Sequence, residues 1–109
     1  MKSISAWQGD TIPISANQPE TTATEARLLV GAVGATAIYQ KQSLYSSGIA
    51  VLTVTDEENI ESIIPAGSYK YMIEVTYSDG QILTFPKNST STCLTSELPD
   101  FIISPRIEV

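Results

Sequence analysis

The sequence predicts an all-β fold, and three observations carry that expectation. Hydrophobicity alternates with a period of two along most of the chain. The alternating runs are filled with β-branched and aromatic residues. Turn-forming residues separate the runs at intervals of about ten residues, the spacing of short strands.

Taken in order, Ser3 to Trp7 reads as a short first strand. Thr11 to Ser15 sets Ile12 and Ile14 against polar neighbours, and Pro13 marks it as an edge or a bulge, because proline has no N–H for a ladder. Ala26 to Val33 is apolar enough for a central strand. Thr36 to Gln42 and Ile49 to Thr55 follow, punctuated by Gly31, Gly34 and Ser47-Gly48.

The clearest strand is Tyr69 to Tyr77. Tyr69, Tyr71, Ile73, Val75 and Tyr77 share one face; Lys70, Met72, Glu74 and Thr76 share the other. Asp79-Gly80 then separates it from Gln81 to Phe85, which predicts a hairpin because glycine accepts the positive φ such turns need. Phe101 to Ile103 is the last strand, fenced by Pro99 and Pro105.

One segment reads two ways. Thr55-Asp56-Glu57-Glu58 has the capping-box spacing of a helix start, with Ile60, Ile63 and Ile64 able to face a core and Pro65 ending it after one or two turns. A strand from Ile60 to Ile64 is the other reading. The expected fold is thus a single β-sandwich of about seven or eight short antiparallel strands with at most one short helix. It is immunoglobulin-like in a loose sense only, since the Cys, Trp, Cys hallmark of antibody domains is missing.

The 109 residues suit one domain, 1–109, with polar loops at 17–24 and 87–96 and a C-terminal arm at 104–109. Hydrophobic residues make up 42% and charged residues 17%, a globular balance and not that of a disordered chain. The formal net charge of −6 opposes docking on nucleic acid or anionic lipid. No apolar run approaches the about 20 residues of a membrane span, and the first residues lack the apolar core of a signal peptide.

The composition argues for binding over catalysis. The chain has no histidine, so the usual general base and the commonest metal ligand are both missing. Its one cysteine, Cys93, can form no internal disulfide and makes no zinc site; we read it as a packed, unreactive thiol. Asp56, Glu57, Glu58 and Glu61 lack the spacing of a calcium loop and read as a solvated helix start. We expect no catalytic residue, no cofactor and no metal.

Two aromatic features keep alternatives open. The Tyr69, Tyr71, Tyr77 face is core lining or a flat platform for sugars and proteins. Trp7 is a core plug or an exposed anchor. Arg106-Ile107-Glu108-Val109 reads as a tail or a strand that adds to a sheet edge.

Two segments carry a family resemblance. Trp7-Gln8-Gly9-Asp10-Thr11 with the strand after it resembles the opening of small β-domains in tailed-phage tail and baseplate proteins. Ile64-Pro65-Ala66-Gly67-Ser68-Tyr69, running on to Ser78-Asp79-Gly80, is similar to their central pattern. There a Pro-Ala-Gly turn launches a Tyr-bearing strand that ends in an Asp-Gly hairpin; the N-terminal domain of phage baseplate upper proteins is one example. The likeness spans most of Ser3 to Phe85.

The resemblance implies a structural part of a tailed-phage virion: a capsid decoration protein, a head–tail adaptor, a fibre anchor or a baseplate or tail part. Its partners would be other virion proteins (capsid, portal, tail or fibre), with the chain itself a homo-oligomer or multi-copy in a symmetric assembly, and with no nucleic acid and no membrane. It would be made in the bacterial host cytoplasm and reside in the virion. The candidate interface residues are Trp7, Gln18, Glu20, Lys87, Asn88, Arg106, Ile107 and Val109. A carbohydrate-binding module on a phage or bacterial surface is the alternative.

Overall fold

The computed structural model describes residues 3–17, 22–85, 94 and 98–105. Among these the protein is all-β. Its eight strands are β1 (Ile4–Trp7), β2 (Ile12–Asn17), β3 (Ala23–Gly31), β4 (Tyr39–Leu44), β5 (Ile49–Val54), β6 (Gly67–Tyr77), β7 (Ile82–Phe85) and β8 (Asp100–Ser104). Each of the eight runs read as strands overlaps one of them.

The strands form two sheets. The larger has the order β1-β8-β6-β3-β4, with β7 also on β6; the smaller is the antiparallel pair β2-β5. β6 organises the larger sheet. It pairs with β3 along nearly its whole length, from Ala23↔Tyr77 to Gly31↔Lys70. Its other edge is shared: β8 takes Gly67 to Lys70 and β7 takes Ile73 to Thr76.

One pairing departs from expectation. β1 lies parallel to β8, from Ile4↔Phe101 to Trp7↔Ser104, so the strands are not all antiparallel. A parallel pair needs no turn between its strands, and nothing local in either segment announces it. Pro13 sits as expected on an edge: β2 pairs only with β5.

One core joins the sheets. Ala26, Leu28, Val30, Tyr71, Ile73, Val75, Phe101 and Ile103 of the larger sheet pack with Ile12, Ile14, Ala50, Leu52 and Val54 of the smaller. Tyr71 meets Phe101 edge to face, with ring centroids 6.1 Å apart. At about 25 cal/mol per Å² of apolar area removed from water, burial of this kind dominates the stability of a domain without disulfides.

The opposite face of the central strands is covered in part. Leu29 and Met72 form a second buried cluster with Leu94 and Leu98. Met72 therefore lies inside, although it shares its face with Lys70 and Glu74. The Leu94 N–H donates to the Ala35 carbonyl at 3.1 Å and its carbonyl accepts the Gly34 N–H at 2.7 Å, which pins the leucine over the sheet.

The hairpin after β6 forms as its Asp-Gly predicts. Gly80 has φ +89°, the Gly80 N–H donates to the Tyr77 carbonyl at 2.9 Å, and Asp79 Oδ1 accepts the Gln81 N–H at 2.9 Å.

Segment 55–66 is neither helix nor strand. The capping box exists: the Thr55 N–H donates to Glu58 Oε1 at 3.1 Å and the Glu58 N–H to Thr55 Oγ1 at 3.3 Å. One turn closes at Asn59, a second at Ile63 and Ile64, and Pro65 stops any continuation. Of the three isoleucines expected inward, only Ile64 is buried; Ile60 and Ile63 are exposed.

Several boundaries move. Asn17 belongs to β2 and Ala23–Thr24 to β3, so the first loop is narrower than 17–24. Ser104 is the last residue of β8, not the start of an arm. Within 87–96 only Leu94 is described, and it is buried, not part of a solvated loop.

Candidate functional site

Trp7 is the one candidate interface residue among those described; Gln18, Glu20, Lys87, Asn88, Arg106, Ile107 and Val109, like Cys93, lie outside them. The residue is 50% exposed, which rules out the core plug. It ends β1 on the alternating face that points away from the core, where Ile4 and Ala6 pack inward.

The backbone beneath Trp7 is held from several sides. Its N–H donates to Asp10 Oδ2 at 3.0 Å, and its carbonyl accepts the Asp10 N–H at 3.1 Å. The Asn59 side chain, fully buried, donates through Nδ2 to the Trp7 carbonyl at 2.9 Å and the Asp10 carbonyl at 3.1 Å. The Gly9 N–H returns the link to the Asn59 carbonyl at 2.8 Å. A buried amide pays for its desolvation only through such bonds. Asn59 thereby ties the β1–β2 corner to the 55–64 turns, and its Oδ1 has no partner among the described atoms. Nothing in the sequence singles out Asn59; its partners are carbonyls about fifty residues away.

The carboxylates of this region are structural. Burial pushes the Glu58 carboxyl up, but bonds from the Thr55 N–H, the Lys41 ammonium and the Thr55 hydroxyl outweigh it and hold the group below its ordinary value. Lys41 Nζ stands 3.1 Å from Glu58 Oε1. Glu61 is also held low, first by the Ala66 N–H and then by the Gln8 amide. Burial, then the nearby Glu58 charge, pushes the Tyr39 hydroxyl far up. Asp56 and Glu57 are exposed, and no three potential metal ligands gather among the described residues.

The tyrosines of β6 line the core. Tyr71 and Tyr77 are buried, and Tyr69, half-buried, donates its hydroxyl to the Pro65 carbonyl, reaching back over the turn that launches the strand.

Among the described residues, two concavities are open to solvent. Thr22, Tyr77, Ser78, Asp79, Gln81 and Leu83 border about 250 Å³ at the β6–β7 hairpin. Arg27, Gln40, Lys41 and Gln42 border a larger one, about 450 Å³, beside β3 and β4. Sequence reading passed over the second because its residues come from two strands and carry no motif.

No helix among the described residues is long and apolar enough to cross a membrane. Fold and site thus define an all-β protein of two sheets with an exposed tryptophan on a pinned corner. Comparison with protein-family models, with curated proteins and with solved structures gives no match.

Proposed function

We propose that the chain is a structural component of a tailed-phage virion and acts by protein–protein association, with its two sheets arranged as an immunoglobulin-like sandwich. The observation that carries the reading is the Trp7 corner. A half-exposed tryptophan on backbone fixed by Asp10 and Asn59 is pre-organised, so little ordering entropy opposes its burial against a partner. The two segments behind the phage resemblance support it by their form. Trp7 to Asp10 is that corner, and Pro65 to Gly80 is a turn, a long strand and a hairpin closed as the pattern requires. Repetition in a symmetric array would strengthen one such contact per copy.

For the carbohydrate-binding alternative, Tyr71 and Tyr77 offer no platform because they lie in the core, which leaves Trp7 as its exposed aromatic ring among the described tyrosines and tryptophan.

The test is size-exclusion chromatography with light scattering, on the chain alone and mixed with tailed-phage particles or their purified head and tail parts. The reading expects a homo-oligomer or saturable particle binding, weakened at least tenfold by Trp7→Ala. A monomer that binds no particle component would sink it.

A further inference from the structure

We propose that the concavity beside β3 and β4 is a binding site for a saccharide bearing a single carboxylate, such as a hexuronic acid. This inference does not rest on the virion reading.

The register places the groups. Gln42 stands opposite Arg27 and Gln40 opposite Leu29, so Arg27, Gln40 and Gln42 occupy the same face of the larger sheet, away from the common core. They border an open volume of about 450 Å³, within the range of about 300–1,000 Å³ that small-ligand sites occupy. β4 is the terminal strand of its sheet, so the site lies along a ladder edge.

The two glutamines are uncommitted, and Arg27 is only loosely held. Among the described residues, neither Gln40 nor Gln42 makes a side-chain hydrogen bond. The Arg27 guanidinium has one ion pair, Nη1 to Glu74 Oε1 at 3.8 Å, too long for a hydrogen bond. Lys41 differs: its ammonium is engaged by Glu58, so it supplies wall and not charge.

The available chemistry is specific. Arg27 offers a planar fork of N–H donors that matches a carboxylate. Each glutamine offers two N–H donors and a carbonyl acceptor, the complement of sugar hydroxyls, which both donate and accept. Glu74 beside Arg27 and a net charge of −6 oppose a polyanion, so phosphate-rich or polyacidic ligands fit worse than a hydroxyl-rich ligand with one negative charge.

The test is an NMR titration of the whole chain with methyl β-D-glucuronide, methyl β-D-glucoside and acetate. The first two differ only in the carboxylate. The glucuronide is expected to shift the amide signals of Arg27 and of Gln40 to Gln42 saturably. The glucoside should bind at least tenfold more weakly, the usual weight of a charge-assisted contact, and acetate should not saturate over the same range. Arg27→Gln should bring the glucuronide down to the glucoside's affinity, whereas Gln42→Ala should weaken both sugars. Thermal melts of both variants establish that they fold, and Trp7→Ala should leave sugar binding unchanged. The proposal is overturned if the glucuronide gives no saturable shift, if its shifts fall elsewhere, if acetate binds as well, or if neither Arg27→Gln nor Gln42→Ala weakens binding.

Discussion

Asn59 and Trp7 are joined across the fold: the buried amide of one donates to the carbonyl of the other at 2.9 Å. Truncating Asn59 leaves the Trp7 carbonyl with one donor fewer and the Asp10 carbonyl without its Asn59 donor, and opens a small void where the amide stood. Asn59→Ala is expected to cost about 1–3 kcal/mol, the range for a buried polar group that loses its partner. In a domain of this length that lowers the melting temperature by about 4–8 °C per kcal/mol. Trp7 is the one tryptophan, so its fluorescence should also show a more mobile corner. A melt unchanged within error would show that the tie contributes nothing.

How far such features can be read from sequence depends on how local their causes are. The eight strands were legible because each is written in its own local pattern, alternation in most and a mostly apolar run in Ala26 to Val33, and the β6–β7 hairpin because Asp79-Gly80 encodes its turn. The parallel pairing of β1 with β8 and the role of Asn59 were not, since their partners lie far along the chain. The burial of Met72 was not legible for a related reason: period two assigns its face correctly, but only the fold reveals that Leu94 and Leu98 cover part of that face. Arg27, Gln40 and Gln42 went unremarked because their convergence is a matter of register between strands.

Stability should fall on acidification, partly through Glu58. Its carboxyl is held below the ordinary value in the folded protein, so its contribution is fully present above the unfolded value of about 4.3 and is lost as pH falls through the folded one. Urea midpoints should therefore decline from about pH 5 downwards. Glu61 titrates in the same direction, so the difference between wild type and Glu58→Gln isolates Glu58. That difference should shrink as the pH drops toward 3 (about the lower end of the carboxylate range). A constant gap from pH 7 down would assign the loss in Glu58→Gln to packing and not to charge.

The turn between β4 and β5 carries a correctable strain. Ser46 and Ile49 exchange hydrogen bonds at 2.9 and 3.0 Å around Ser47 and Gly48, whose φ values are +52° and +79°. Two positive φ values in a two-residue turn favour Asn-Gly, because serine in the left-handed region costs more than asparagine. Ser47→Asn is expected to stabilise by about 0.5–1 kcal/mol and Gly48→Ala to destabilise by about 1 kcal/mol. Opposite signs in paired denaturant titrations are the result to look for; equal signs would contradict the turn assignment.

Gly31 and Leu94 set the limit on how closely the second cluster can pack. A Cβ on Gly31 would lie 2.9 Å from the Thr36 carbonyl oxygen, 3.0 Å from Ala37 Cα and 3.0 Å from Leu94 Cδ1. Two of those three atoms are backbone and cannot step aside, so Gly31→Ala should cost about 1–3 kcal/mol through overpacking. Leu94→Ala removes a fully buried side chain and should cost about 2–5 kcal/mol. The double variant separates the two causes. Removing Leu94 Cδ1 relieves one of the three clashes, so the two losses should sum to more than the double variant shows, by about 0.5 kcal/mol or more. Strict additivity would mean that the backbone of Thr36 and Ala37 alone excludes a side chain at residue 31, and that Leu94 covers the sheet without touching the site that glycine keeps open.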